Sequence, residues 1–119
     1  MSLSSLDFQQ ARIKQVLFKS RLRSVLYGVR EADPTLFSAR DNPLGQWFEA
    51  TVRPQFGRTP TTVELERAIQ QMLDAGQNLV TQYRRGQIEE ARAGLDQVDV
   101  HAARIERLLQ QLERGAAAA

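Results

Sequence analysis

The stretch Asn42-Pro43-Leu44-Gly45-Gln46-Trp47-Phe48 decides how the rest of the chain is read. It holds the only Trp, a Gly two residues before it, and a Pro whose fixed φ stiffens the entry. Asn followed by Pro is a cap and first-turn pair, so a short helix is predicted to open here and run to about Ala50. A Gly inside a helix costs about 1 kcal/mol relative to Ala. Gly45 therefore points to close backbone approach by another helix. Leu44, Gly45 and Trp47 form the expected core of this element, with Trp47 and Phe48 as large anchors.

Upstream, one helix is predicted from Ser4 or Ser5 to about Gly28 or Arg30, with Ser5 capping its first turn and Asp7 at its positive end. Read at steps of three and four, one stripe is Phe8, Ala11, Gln15, Phe18, Leu22, Val25 and Val29. A second line contains Leu6, Ile13, Leu17 and Tyr27. So wide an apolar surface predicts packing against more than one neighbour. Gln15 is the polar exception in the first stripe. The pattern then fails between residues 31 and 40, where Asp33-Pro34 opens a turn through Thr35-Leu36-Phe37. Leu36 and Phe37 are placed as a lid.

Downstream, Arg53-Pro54 to Thr59-Pro60 reads as a connector, because two prolines and Gly57 oppose a continuous helix. A third helix follows, capped by Thr61 or Thr62. Its apolar line is Leu65, Ile69, Met72, Gly76, Leu79 and Tyr83, with Leu73 and Val80 alongside, and it ends at Arg84-Arg85-Gly86. The fourth runs from about Gln87 to Arg114. Its line of Ile88, Ala91, Leu95, Val98, Ala102, Ile105, Leu109 and Leu112 alternates steps of three and four, as a heptad seam does. That seam suits either the interior or a dimer partner. Together these elements predict an all-α fold: an antiparallel four-helix bundle with one short helix and a covering loop. A single domain is expected over 4–114, with a flexible Ala-rich tail over 115–119.

The 119 residues suit one modest core. Sixteen basic against 14 acidic residues leave a charge of +2, too balanced for a dedicated nucleic-acid binder. Arg21-Arg23 and Arg84-Arg85 read as solvated faces. With no Cys there is no disulfide, thiolate metal site or thiol nucleophile. No apolar run is long enough to insert in a membrane, and Met1 to Ser5 lacks the pattern of a secretory signal, so a cytoplasmic location is expected. His101, the only His, sits beside the seam with no thiol or paired carboxylate on its face. No catalytic constellation can be assembled from these residues.

Two segments carry a family resemblance: Lys14-Gln15-Val16-Leu17-Phe18-Lys19-Ser20-Arg21-Leu22 and Asn42-Pro43-Leu44-Gly45-Gln46-Trp47-Phe48. Together they resemble the chemoreceptor zinc-binding (CZB) domain. That family has His-hydrophobic-x-x-Lys-x-Arg on its first helix and Cys-x-(Leu or Phe)-Gly-x-Trp-aromatic after it. Two further His residues lie one turn apart on its third helix. The segment from Tyr83 to Ala91 is similar to the turn between the family's third and fourth helices. The resemblance implies a four-helix bundle attached to bacterial signalling proteins, in which three His and one Cys hold zinc.

Here Gln15 stands at the first His position, Asn42 at the Cys position, and Ile69 and Leu73 at the remaining two. Zinc takes imidazole, thiolate or carboxylate donors, so these four supply no metal site. The expectation is a packed apolar plug where zinc sits in the family, closed by a Gln15–Asn42 hydrogen bond. The implied function is a non-enzymatic sensory or regulatory domain of bacterial signal transduction and chemotaxis, without cofactor. It would act on a signalling protein, on itself as a homodimer, or on a small apolar ligand. The rival is a free-standing helical bundle used for dimerisation, with no sensory role.

Overall fold

A computed structural model describes residues 4–118. The described residues form six α-helices: α1 (Ser5–Leu26), α2 (Pro43–Trp47), α3 (Arg53–Phe56), α4 (Pro60–Arg84), α5 (Ile88–Ala93) and α6 (Leu95–Ala118). A 3-10 turn covers Pro34–Phe37 and a π turn Phe48–Val52, and no strand occurs among the described residues. The molecule measures 50 × 21 × 21 Å, with the long helices along its length.

Ser4 caps α1 in a reciprocal box with Asp7, one residue before the expected Ser5. The helix stops at Leu26, after which Gly28 takes φ 74°. The Leu26 carbonyl accepts from Arg92 Nε at 2.8 Å, so α5 closes an end that would otherwise leave an orphan acceptor. The same guanidinium lies 4.2 Å from the Tyr27 ring centroid.

The predicted connector at Arg53-Pro54 is helical instead. The backbone stays in αR from Pro43 to Phe56, and Arg53 N–H donates to Phe48 O across a widened turn. Pro54 cannot donate to Ala50, and its ring clashes with that carbonyl in a regular α-helix. The wider turn accommodates it. Gly57, at φ 61°, ends the run.

Thr59, not Thr61 or Thr62, caps α4, and Pro60 occupies its first turn. Gly86, at φ 85°, then reverses the chain, and α5 and α6 pack back along α4 over the most extensive interface in the molecule. The predicted fourth helix is broken at Gly94. A Cβ there would strike Leu79 Cδ2, and Gln97 N bonds to Gly94 O at 3.0 Å in a tighter turn. At its other end α6 runs through Gly115 to Ala118, because Gly115 keeps helical φ and the following alanines are the best helix formers. Ala119, the last residue of the predicted tail, lies outside the described residues.

One contiguous core joins all the long helices. Val98, Ala102, Ile105, Leu109 and Leu112 of the seam are buried within the chain, against the buried line of α4. Phe18 and Phe37 meet edge to face at 6.1 Å over Gly76, where a Cβ would sit 3.0 Å from Phe18. The second apolar line of α1 is not covered as expected. Leu6, Ile13 and Leu17 are exposed, because the elements packed on α1 bury its inner stripe, and Tyr27 and Val29, beyond the end of the helix, are exposed too.

Gly45 marks the tightest approach. A Cβ there would collide with the Ala39 carbonyl, so its neighbour is the loop and not another helix as predicted. Substitution Gly45→Ala should therefore destabilise by about 1–3 kcal/mol through overpacking, against the gain that Ala brings inside an unconstrained helix. Urea unfolding should show the midpoint falling at constant slope.

Candidate functional site

The site is the region where the Asn42–Phe48 element meets α1 and α4. Asn42 is 1% exposed, and each polar atom of its side chain is bonded. Its Oδ1 accepts from Leu44 N–H at 2.8 Å, capping α2, while Nδ2 donates to Leu36 O at 2.6 Å. One side chain thus ties the 3-10 turn to the helix that follows. Asp33 caps that turn, accepting from Thr35 N–H and Oγ1 at 2.9 and 2.8 Å. These bonds, first that from the Thr35 backbone, hold its carboxyl below the usual carboxylate range. The cap is complete above the unfolded carboxyl pKa and is lost as pH falls through the lowered folded value.

Leu44 and Gly45 are buried beneath this knot, and Trp47 meets Phe8 edge-on at 6.1 Å. Trp47 Nε1 is buried with no hydrogen-bond partner. Phe48, also buried, carries the Arg53 guanidinium 5.3 Å from its ring centroid. Arg53 bridges Glu49, at 2.8 Å, and Glu66. Beside them lies an open cleft of about 620 Å³, with Ala39, Gly45, Phe48, Ala50 and Ile69 in its wall and Arg40, Glu49 and Glu66 among its charged lining.

Gln15 goes elsewhere. It is buried, and its Nε2 donates to Ala102 O of α6 at 2.7 Å. The expected Gln15–Asn42 bond is absent among the described residues, because each amide is committed to a different neighbour. Ile69 is buried in the wall of the cleft and Leu73 in the core. The four positions thus present two engaged amides and two aliphatic side chains, a set that does not fit zinc.

Gln15 also belongs to a polar ladder between α1 and α6. One turn before it, Arg12 binds Glu106 at 2.8 Å and Glu113 at 2.9 Å, which raises the Arg12 pKa further. One turn after it, Lys19 binds Asp99 at 2.7 Å. This ladder was not foreseen, although Asp99, Glu106 and Glu113 recur every seven residues along the edge of the seam, as flanking charges of a heptad do. His101 is half-buried at the core edge. Among the described residues, no three His, Cys, Asp or Glu side chains gather as a metal site would need.

Comparison with known protein families, curated proteins and solved structures gives no match.

Two substitutions weigh the Asn42 cap against the ion-paired rung of the ladder. Asn42→Ala removes a cap and a buried bond and should cost about 2 kcal/mol. Arg12→Ala should cost about 1 kcal/mol, since both its ion pairs are partly exposed, and the loss should shrink in 1 M salt, where the Debye length falls to about 3 Å. Urea melts at low and high salt measure both.

Proposed function

We propose that this chain is a metal-free, non-enzymatic regulatory domain of bacterial signal transduction. Its helices are read as an antiparallel four-helix bundle akin to the chemoreceptor zinc-binding domain, acting through contact with a protein partner. One observation carries the reading. The element that resembles the family's Leu-Gly-x-Trp motif forms a packed knot, while the positions corresponding to the metal ligands hold Gln15, Asn42, Ile69 and Leu73. In the family, zinc would cross-link the first helix, the motif helix and the third. Here Asn42 ties the motif helix to the preceding loop, Gln15 ties α1 to α6, and Ile69 and Leu73 occupy apolar positions.

Such a substitution trades a strong metal staple for distributed packing. Structural zinc is worth about 10–16 kcal/mol to small zinc-finger folds and makes them dependent on chelators and pH. A domain held by burial and amide bonds gives a chelator nothing to remove. Its input must arrive by contact, either on its surface or in the cleft beside Ile69. The lone His101 at the core edge offers no nucleophile–base–orienter set, in keeping with a non-enzymatic role.

Metal analysis of the purified chain by mass spectrometry, paired with thermal melts with and without chelator, tests this reading. The expected result is substoichiometric zinc and a chelator-insensitive melt. Stoichiometric zinc released with loss of helicity would overturn it.

A further inference from the structure

Helix α1 differs from α4 and α6 in bearing large apolar side chains on both faces. The inner set fills the core; Leu6, Ile13, Val16 and Leu17 form an outer set, with Ile13 60% and Val16 65% exposed. Residues 6, 13 and 17 follow one line of the helix, and Val16 lies one turn from Ile13. Arg12, Ile13, Val16 and Leu17 line a groove of about 260 Å³. Ser20 and Ser24 continue the line, and no charged residue interrupts it. The other exposed large apolar residues, such as Val63 and Val100, stand apart from this cluster and are ordinary surface features.

Charge identifies what fits this face. After Asp7, every charged residue of α1 is a cation: Arg12, Lys14, Lys19, Arg21 and Arg23. Arg12 and Lys19 are matched by acids of α6. Lys14 and Arg21 border the opposite edge of the apolar line and form no ion pair among the described residues; Asp33 attracts Arg21 only weakly. Arg23 lies over the Tyr27 ring at 5.2 Å and points to no acid.

A second copy docking antiparallel through its own α1 would bring the Lys14–Arg21 edge against itself, cation against cation, which is repulsive; docked parallel, that edge would meet acids already paired to Arg12 and Lys19. A flat anionic membrane would also meet Asp99, Glu106 and Glu113 beside the Val16 edge. A single helix, about 10 Å across, lying over α1 would meet Lys14 and Arg21, unpaired among the described residues, on one flank and the neutralised Arg12 and Lys19 on the other, so the free charge it faces is cationic.

We propose that the outer face of α1, built on Leu6, Ile13, Val16 and Leu17 and bordered by Lys14 and Arg21, docks an amphipathic helix of a partner protein whose apolar stripe is flanked by Asp or Glu. This deepens the reading of a contact-driven regulatory domain by giving it a surface and a class of partner. Anchors at i, i+3, i+4 and i+7 are the usual grip of helix-in-groove recognition, and the flanking pairs set orientation and on-rate.

Two synthetic amphipathic peptides with the same Leu stripe, one flanked by Glu and one by Lys, serve as probes for the full chain in fluorescence anisotropy. The Glu-flanked peptide should bind at least about ten-fold tighter. Ile13→Glu with Leu17→Glu should abolish that binding while leaving the melt unchanged, since both sites are exposed. Lys14→Glu with Arg21→Glu should invert the preference toward the Lys-flanked peptide. Absence of binding, or binding blind to the charge reversal, would overturn the proposal. So would self-association in sedimentation that Ile13→Glu with Leu17→Glu abolishes, and so would preferential uptake by phosphatidylglycerol vesicles over the Glu-flanked peptide. Metal content is measured separately, so failure of peptide docking stays distinguishable from failure of the metal-free reading.

Discussion

The contact of Gly45 with the Ala39 carbonyl constrains the placement of the motif helix. Without a Cβ at 45, α2 can press against the loop that precedes it; with one, the two segments must separate. Asn42 holds both sides of this contact, capping α2 through Oδ1 and restraining the 3-10 turn through Nδ2. The consequences spread outward. Phe37 is placed over Gly76 against Phe18, and Trp47 against Phe8, so one short segment sets how α1 and α4 sit relative to each other. Its buried amide is affordable only because each polar atom of it has a partner.

The two long helices on the far side obey a simpler rule. In α4 and α6 the apolar residues gather on one side, and burying those two faces against each other supplies the largest interface. The ladder of Arg12, Gln15 and Lys19 then fastens α1 to α6 along a strip that packing alone leaves polar. Exposed pairs contribute little individually; Arg12 is half-buried and grips two carboxylates, which makes it the strongest rung. Trp47 Nε1 is the one unsatisfied buried side-chain atom among the described residues, a cost of about 1–3 kcal/mol that packing of the indole offsets.

Much of this was legible in the sequence. The Asn42-Pro43 cap, the inner stripe of α1 and the heptad seam of α6 all follow from local chemistry and period. Their burial is what such patterns produce when partners exist. What resisted reading depends on contacts distant in sequence. Gln15 bonds a carbonyl 87 positions away, so no local pattern could name its acceptor. Pro54 normally signals a break, and whether a helix widens around it depends on what holds the helix on either side. The outer line of α1 has the same residue types as the inner one; only the number of neighbouring elements decides which line is covered. Thr59, Thr61 and Thr62 are all competent caps, and the choice fell to the one followed directly by Pro. Of the candidate site, the commitment of Asn42 and Gln15 to separate neighbours was not legible.

Native-state hydrogen exchange in the presence of chelator tests the central claim most directly, that a metal-free knot around Asn42 and Gly45 is an integral part of the fold. The amides of Leu44 and Gln46, bonded to Asn42 Oδ1 and O, should exchange only with global unfolding, alongside those of the α4 and α6 interiors. Exchange of these two amides through a low-energy local opening, while α4 and α6 stay protected, would contradict it.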